Sequence, residues 1–600
     1  MKIHQRIKII SFLVISLAAA PISCSDILES EYRSDLGPEF FSTPDGLQAG
    51  VHASYAITRY FWGSEGFTTS SVTGTDEVTR GGDGGPEFHE YTILPNNGTL
   101  SSIWNNSYTA INNLNGVLQY GPDAALPQDR KTELLAEAKF LRAYFYFLLV
   151  QNFGDVPLNL TFNTVPNTKA YRTNVKEVYE AIVQDLKDAA NALPNKPTSS
   201  PSKARASKPA ALHLLAKVLL TKGWNVNARE GDGKSDFESA YTVADTLIAN
   251  SAQYDIGLEP NYADVYRNTN EYGREVLFVL DRNTDPVFSE SGYNNTTAED
   301  GNKENRLNHY WVSFYTLADQ NVNFGITGAP EVKVKLVSRS TLYGRPYRRF
   351  RPNPYTYEAF TKRDVDSRYD NTFQKVWLFN RPTEVPAGED AVGTAAPTIT
   401  TTRGVLQRGD TAIFMPGHEV TEADRKKVKG LIMAPSQYSY EWFPTMIKHL
   451  DPTRQHYNDP SDRPIILMRL GETYLIAAEA AFKAGNLTNA KDKINALRER
   501  AAFRTTNSSA ENAADAIATR ISESDVDIKF ILEERTRELY GEMHRWYDLV
   551  RTQTLITRVK QYNPLAGPKI QDYHVLRPIP STSQMDLVTN RDEFPQNPGY

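Results

Sequence analysis

The chain has 600 residues, of which 40% are hydrophobic and 23% are charged, and this is ample material for a large folded core. The formal net charge of −6 argues against a general nucleic-acid-binding protein, because contacts to phosphates need an excess of basic residues. The single cysteine, Cys24, excludes an intrachain disulfide and a metal site built on several cysteines.

Residues 1–23 have the pattern of a secretory signal. Three basic residues precede an apolar run at 9–20, which is too short to span a bilayer comfortably. Ser23, a small residue, stands directly before the sole cysteine, Cys24, and this arrangement resembles the bacterial lipoprotein processing site. The resemblance implies that Cys24 is acylated and anchors the protein, with residues 24–34 as a tether. The alternative is a secreted protein with an incidental cysteine.

Hydrophobic residues recur at steps of three and four along much of the N-terminal half, and this spacing predicts helices. Thr43 before Pro44 is typical of a helix start, with a capping residue and then proline at the first helical position. Gly154 and Pro157 should end a long helix. We expect residues 35–254 to form the N-terminal part of a helical array. The predicted helices span 42–61, 103–119, 134–148, 175–193, 204–222 and 237–250.

Residues 463–501 predict two adjacent helices. Gly485 and Asn486 are residues that commonly end a helix, and an apolar stripe lies on each side of them. The first stripe runs through positions 467, 470, 474, 478 and 481, and the second runs through positions 490, 494, 497 and 501. The pair looks like a tetratricopeptide (TPR) unit, which cannot bury a core alone, so we expect other hairpins to stack on it. The predicted fold is therefore mainly α, a TPR-like helical-hairpin array.

The helical period fades between 255 and 460, where Pro, Asn, Gly and Tyr dominate. A structureless loop of that length is implausible within a folded chain. We therefore predict an irregular, loop-rich subdomain at 255–460, inserted into the array. Residues 461–600 should form the C-terminal part of the array and a closing tail, with the proline-rich end as an extended strand packed over the helices.

Four stretches of the chain have distinctive sequences: KFLRAYFYFLLVQNFGDVPL at 139–158, the hairpin at 467–501, ILEERTRELYGEMHRWYDLVR at 531–551, and the terminus LRPIPSTSQMDLVTNRDEFPQNPGY. Together they resemble the SusD-like (RagB-type) outer-membrane lipoproteins of Bacteroidetes. Met543 stands where many members of the family have Gly. The first three stretches also have structural explanations, because their charged residues can pair along a helix and their glycine and proline can form turns.

The resemblance implies a lipid-anchored protein of the outer membrane, at the cell surface. Such a protein captures oligosaccharides or polysaccharides and passes them to a SusC-like, TonB-dependent transporter, without a cofactor and without enzymatic activity. Three alternatives stay open: a peptide-binding member of the same class, a TPR-type scaffold for a protein partner, and a lipid-anchored glycoside hydrolase. No catalytic or metal-binding residue is predicted, because His89-Glu90 and His418-Glu419 lack the second histidine of a zinc helix.

Glycan binding uses aromatic faces and hydrogen-bonding side chains, which a rigid scaffold presents on loops. The glycine-rich stretch at 74–86 and the inserted part both offer such residues. Each has a structural alternative, because Arg80 could pair with Asp76 to hold its own loop, and the aromatic residues at 310–315 could lie in the core. The predicted ligand-binding residues are Asp76, Arg80, Asp83, Tyr91, Tyr310, Trp311 and Tyr315.

Overall fold

Helices supply most of the regular structure. The computed structural model describes residues 37–165, 167–196, 202–282, 305–316, 321–322, 332–333, 336–380, 398–401 and 403–600. The predicted signal at 1–23, the acylated Cys24 and the tether at 24–34 lie outside the described residues. Among the residues that are described, no helix has both the length and the apolar character needed to cross a membrane.

The helices confirm the prediction of a mainly α fold. In chain order they are α1 Pro38–Phe41, α2 Pro44–Ile57, α3 Glu65–Val72, α4 Glu87–Glu90, α5 Gly98–Tyr120, α6 Gln128–Phe153, α7 Val175–Ala192, α8 Lys208–Trp224, α9 Lys234–Ala249, α10 Leu307–Tyr310, α11 Pro354–Ala359, α12 Arg368–Thr372, α13 Glu422–Arg425, α14 Leu470–Lys483, α15 Leu487–Ala501, α16 Ser509–Thr519, α17 Ile528–Leu539, α18 Arg545–Arg551 and α19 Leu555–Tyr562.

The helix ends follow the local sequence. The hydroxyl of Thr43 accepts a hydrogen bond from the main-chain N–H of Gly46 at 3.0 Å, so Thr43 caps α2 as predicted. Helix α6 ends at Phe153 because Gly154 takes a φ of 72°, a left-handed conformation that other residues adopt at a cost. Between α14 and α15, Gly485 has a φ of 87° and the side chain of Asn486 caps the second helix. The first helix therefore ends before Gly485 as predicted, and Asn486 also begins the next helix.

Successive helices pack against one another from α5 to α9, and α9 then packs against α14, which pairs with α15. The two helical parts of the chain are thus joined directly, although more than 200 residues separate Ala249 from Leu470. The core that they share is apolar and rich in aromatic residues, and α6 is buried on nearly all sides over its second half. Truncating one large side chain in such a core costs about 2–5 kcal/mol.

The strands are short. They are β1 Val78–Arg80, β2 Val276–Leu280, β3 Asn321–Val322, β4 Val332–Lys333, β5 Phe350–Pro352, β6 Phe373–Gln374, β7 Val376–Leu378, β8 Thr398–Thr401, β9 Gly404–Gln407, β10 Thr411–Phe414, β11 Leu431–Ile432, β12 Thr445–Met446 and β13 Ile465–Arg469. Strands β7, β10 and β11 form a three-stranded sheet, and the others pair in twos. A separate apolar cluster, which includes Trp377 and Ile413, lies in this part of the chain.

Two expectations differ from the structure. Residues 467–469 form the end of strand β13 instead of the start of a helix. The reason is that β13 pairs with the buried strand β2, which lies about 190 residues earlier in the chain. The C-terminal tail contains short helical turns in place of the predicted strand. Asn597 is one of the residues that attach the tail to the array, because its amide donates to the main-chain oxygen of Phe153 at 3.0 Å. The same amide donates to the main-chain oxygen of Arg577, within the tail, at 2.8 Å.

A network of buried ion pairs joins the distant parts of the chain around helix α17. Glu538 accepts from Arg469 at 2.7 Å, from Arg500 at 2.6 Å and from Arg368 at 3.1 Å. Burial alone would raise the pKa of Glu538, but these guanidinium groups hold it at about 2. Removing one partner from a buried pair leaves an uncompensated charge and costs about 3–5 kcal/mol. Glu538, in the 531–551 stretch, therefore has a structural role.

Candidate ligand-binding face

Residues 81–86, here called the glycine-rich loop, follow strand β1 and lie against the chain that enters β5. The N–H of Gly81 donates to the main-chain oxygen of Arg349 at 2.9 Å, and the N–H of Asp83 donates to that of Arg348 at 3.3 Å. A Cβ atom on Gly81 would lie 2.2 Å from the main-chain oxygen of Arg348, so only glycine permits this approach. The loop is thus fixed on its neighbours with its polar tip at the surface.

Arg348 bridges two acidic side chains at the tip of this loop. Its guanidinium pairs with Asp83, with a nitrogen–oxygen distance of 2.5 Å, and also with Glu441. The same group lies 4.9 Å from the centre of the Phe314 ring. The backbone of Arg348 has a φ of 48°, which is uncommon for a residue with a side chain and costs energy. Conformations of this kind concentrate at functional sites, so the strain points to this position.

Tyr440 presents an exposed ring beside this bridge. Its side chain is 37% exposed, and the guanidinium groups of Arg351 and Arg80 lie 4.6 and 5.6 Å from the ring centre. The main-chain oxygen of Tyr440 accepts from the N–H of Gly82 at 2.9 Å, which ties the ring to the glycine-rich loop. An aromatic face held between cations and next to carboxylates suits a ligand with C–H surfaces and hydroxyl groups.

A cavity of about 550 Å³ continues this surface, and we call it the tyrosine cavity. Tyr60, Tyr310 and Tyr347 provide aromatic walls, and the hydroxyl of Tyr347 accepts a hydrogen bond from Arg306 at 3.0 Å. Its remaining lining residues include Ser64, Glu65, Thr99 and Ser102.

Arg349 connects the cavity to the glycine-rich loop. It pairs with Glu65 at 2.8 Å and donates to the main-chain oxygen of Asp83. The loop, Arg348, Tyr440 and the tyrosine cavity therefore make one continuous surface, and we call it the ligand-binding face.

The base of the glycine-rich loop is held from behind by a buried carboxylate. Asp76 accepts from Arg545 at 2.7 Å and from Arg558 at 2.6 Å. Burial favours the neutral acid, yet the two guanidinium groups hold the pKa of Asp76 below its usual range. Burial raises the pKa of the neighbouring Glu77 to about 7. Asp76 therefore pairs with α18 and α19 and not with Arg80, which stacks on Tyr440.

The structure divides the predicted site residues into two groups. Arg80 and Asp83 lie on the ligand-binding face, and Tyr310 forms part of the cavity wall although its side chain is mostly buried. The remaining four lie inside the protein, where a ligand at the surface does not reach them: Asp76, Tyr91, Trp311 and Tyr315.

The buried aromatic residues have structural contacts. Trp311 packs on Phe350, with ring centres 4.8 Å apart, and it also contacts Tyr540. The hydroxyl of Tyr315 donates to the main-chain oxygen of Gly344 at 2.6 Å. The hydroxyl of Tyr91 likewise donates to Gly74 at 2.8 Å. These bonds satisfy polar groups that burial would otherwise leave unpaired.

The residues of the face that were absent from the predicted set include Tyr347, Arg348, Arg349, Tyr440 and Glu441. The first three belong to the stretch YGRPYRRF at 343–350, where arginine and tyrosine alternate with glycine and proline. That composition is typical of a polar binding loop and was a usable signal. Tyr440 and Glu441 gave no local signal, because their role depends on contact with a loop more than 350 residues earlier in the chain.

The face can bind, orient and desolvate a hydroxylated ligand. Its groups are guanidinium donors, carboxylate acceptors, hydroxyls and ring faces. In the described part of the chain, no group of three or more His, Cys, Asp or Glu residues is placed to hold a metal ion.

Family models and similar sequences agree on one protein family. Residues 224–600 match the model of the SusD family, and residues 67–220 match a SusD-like model described as starch-binding and associating with the outer membrane. SusD-like protein P2 of Formosa agariphila is 26% identical over 98% of this chain and 99% of its own length. SusD-like protein P25 of the same organism is 25% identical over 96% and 95%.

Solved structures share the fold. A SusD homologue from Bacteroides thetaiotaomicron has a TM-score of 0.66 at 20% identity, covering 94% of this chain and 99% of its own. A laminarin-binding SusD-like protein has a TM-score of 0.60 at 21% identity, with 93% and 100% covered. The surface glycan-binding protein A of Bacteroides fluxus has the same TM-score at 17% identity, with the same coverage. The array is the TPR-like one that the sequence predicts, and the chain belongs to the SusD family.

Proposed function

We propose that this protein captures oligosaccharides or polysaccharides at the cell surface and that the ligand-binding face is where they bind. The observation that carries the proposal is the continuity of the face, from the exposed ring of Tyr440 through the Asp83–Arg348–Glu441 bridge to the tyrosine cavity. Ring faces pack against the C–H surfaces of sugars, while the charged groups and hydroxyls bond to sugar hydroxyls. No step of proton transfer is needed.

The fixed geometry of the face supports this role. Backbone hydrogen bonds hold the glycine-rich loop to its neighbours, and the buried pairing of Asp76 with Arg545 holds it from behind. Binding to a preformed surface costs less ordering entropy than binding to a mobile one. The starch-binding description of the matched family model and the laminarin-binding neighbour add support.

The proposal extends to the membrane and to transport. A lipid on Cys24 would anchor the protein to the outer membrane, and a SusC-like, TonB-dependent transporter would receive the glycan. Two acyl chains hold a protein on a bilayer stably, since each buried CH₂ contributes about 0.8 kcal/mol. Mass spectrometry of the mature wild-type chain should find an acylated N-terminal cysteine that the Cys24→Ser variant lacks. Pull-down from solubilised membranes should recover a barrel-sized partner.

Electrophoresis through native gels that contain starch, laminarin, xylan or alginate tests the binding claim. We expect at least one polysaccharide to slow the wild-type protein relative to a gel without polysaccharide. Serum albumin, the control protein, should migrate equally in the gels with and without polysaccharide. Mobility that is unchanged in every gel would contradict the proposal. Analysis of the incubated polysaccharides should find no shortened products.

A further inference from the structure

A second groove lies on the side of helix α5 that faces away from the tyrosine cavity. Its volume is about 790 Å³, within the range usual for ligand sites. We call it the amide groove, and the residues that define it are Trp104, Asn105, Tyr108, Asn159, Asn163 and Tyr171. No Asp or Glu is among the described residues that line it, and its one cationic side chain is Lys169.

Helix α5 separates the two sites. Thr99 and Ile103 line the tyrosine cavity, while Trp104 and Tyr108 line the amide groove. Because successive helical residues are rotated by about 100°, the second pair points to the side of the helix roughly opposite to the first. The groove is therefore not a continuation of the ligand-binding face.

The outer wall of the groove is formed by residues 157–165 and 167–173, which side chains of α5 hold in place. Asn112 forms two hydrogen bonds with the main chain of Asn163, at 3.2 and 2.9 Å. The amide of Asn115 donates to the main-chain oxygen of Asn159 at 2.9 Å. The main chain of this segment is thus bonded to the array, and the exposed side chains of Asn159 and Asn163 project from a fixed wall.

The floor and rim of the groove are aromatic. The rings of Trp104 and Tyr108 lie 5.1 Å apart, and their polar atoms are bonded to Gln584 and to the main-chain oxygen of Pro157. Trp104 is buried beneath the groove, so the partly exposed ring of Tyr108 is the aromatic face that the floor offers to a ligand. Tyr171 stands at the rim with 56% of its surface exposed. Val165, which lines the same groove, is 72% exposed, and apolar side chains grouped at the edge of a groove are typical of ligand contacts.

We propose that the amide groove is a second glycan-binding site. An asparagine amide both donates and accepts, which matches the neighbouring hydroxyl groups of a sugar, and the rings supply a surface for its C–H face. This inference rests on the proposed function of the protein and adds a separate location to it. Two sites on one protein let a long polysaccharide bind at both, which raises its apparent affinity above that of a short oligosaccharide.

The test separates the two sites with paired variants. The groove variant is Asn163→Ala with Tyr171→Ala, the face variant is Tyr347→Ala with Tyr440→Ala, and Tyr272→Ala is the control. Calorimetric titration with maltohexaose, laminarihexaose and xylohexaose should give two binding events per wild-type protein and one for each double variant. On polysaccharide gels the groove variant should lose about tenfold in affinity, while Tyr171→Phe, which keeps the ring, should bind as wild type.

Each outcome decides the matter. A wild-type protein with one binding event, together with a groove variant that binds polysaccharide as the wild type does, would overturn the second site and leave the proposed function intact. A wild-type protein that binds none of the oligosaccharides or gel polysaccharides would overturn both. Circular dichroism should give superimposable melting curves for the groove variant and the wild type, because both substituted side chains are exposed.

Discussion

Asp76 and Arg545 are 469 residues apart in the chain, yet the guanidinium of Arg545 donates two hydrogen bonds of 2.7 Å to the carboxylate of Asp76. This contact ties the base of the glycine-rich loop to helix α18. It explains how a polar surface loop acquires a fixed position on a helical array. The ligand-binding face therefore depends on residues that a ligand never touches.

Replacing Asp76 with asparagine should destabilise the protein strongly. The change removes the carboxylate that pairs with the buried Arg558 and leaves Arg545 with Glu77 alone, at 3.2 Å, so we expect the free energy of unfolding to fall by about 3–5 kcal/mol. Asp83→Asn is the matched control, because Asp83 is exposed and surface pairs contribute only about 0–1 kcal/mol. Urea unfolding of both variants measures the difference. Equal losses would show that burial of the Asp76 pair has no energetic consequence.

Arg348 allows a test of the strained backbone at the face. Both Arg348→Ala and Arg348→Gly remove the bridge to Asp83 and Glu441, but glycine adopts a φ of 48° without the steric cost that alanine incurs. The glycine variant should therefore be more stable than the alanine variant by about 1 kcal/mol, measured by thermal unfolding. Both should bind polysaccharide more weakly than wild type. An alanine variant as stable as the glycine variant would mean that the position carries no strain.

Trp311 should prove to be a core residue. Because its ring is buried against Phe350 and Tyr540, Trp311→Ala should lower the free energy of unfolding by about 3–5 kcal/mol. Tyr440→Ala removes an exposed ring and should have a far smaller effect on stability. Differential scanning calorimetry compares the two. A Trp311→Ala protein with normal stability and lost polysaccharide binding would instead place this side chain at the ligand.

The stability of the folded protein should fall as the pH falls from 6.5 to 4. Burial lowers the pKa of His89, His449, His544 and His574 from 6.5 to about 4. The unfolded chain therefore binds more protons than the folded chain within that window, so acid favours unfolding. Glu77 opposes this trend, because its pKa of about 7 lets the folded state bind a proton first, and burial raises the pKa of Glu137 and Asp462 in the same sense. The histidines whose pKa is lowered outnumber these three carboxyl groups.

Thermal unfolding at pH 7, 6, 5 and 4.5 measures this dependence. Each unit of pKa difference corresponds to about 1.4 kcal/mol, so the melting temperature should drop steadily across the series. A melting temperature that stays constant from pH 7 to 4.5 would show that these histidines are open to solvent. Exchanging His544 for glutamine should flatten the curve.

Local patterns predicted the helices well. The period of three and four, Thr43 before Pro44, and Gly485 with Asn486 are each decided by neighbours within one or two turns. Strand β13 was not predictable in this way. Its residues fit a helical stripe equally well, and their pairing with β2 depends on a partner far away in the chain.

The sequence indicated the region of the candidate site better than the individual residues that form it. The glycine-rich stretch at 74–86 contains Arg80, at the end of β1, and Asp83, in the loop that follows. Sequence spacing could not tell that Asp76, a few residues earlier, points inward to Arg545, because the two are brought together only by the complete fold. The same applies to Trp311, because the local sequence around an aromatic residue in an irregular segment does not indicate whether its side chain faces the core or the solvent.

Affinity electrophoresis of the face variant tests the central claim most directly. Tyr347→Ala with Tyr440→Ala removes two ring surfaces from the ligand-binding face, and Tyr272→Ala removes a tyrosine that is as exposed as Tyr440, at 37%, but lies elsewhere. In a gel containing a polysaccharide that slows the wild-type protein, the double variant should bind at least about tenfold more weakly, and the control should migrate as wild type. Equal retardation of the double variant and the wild type would contradict the account.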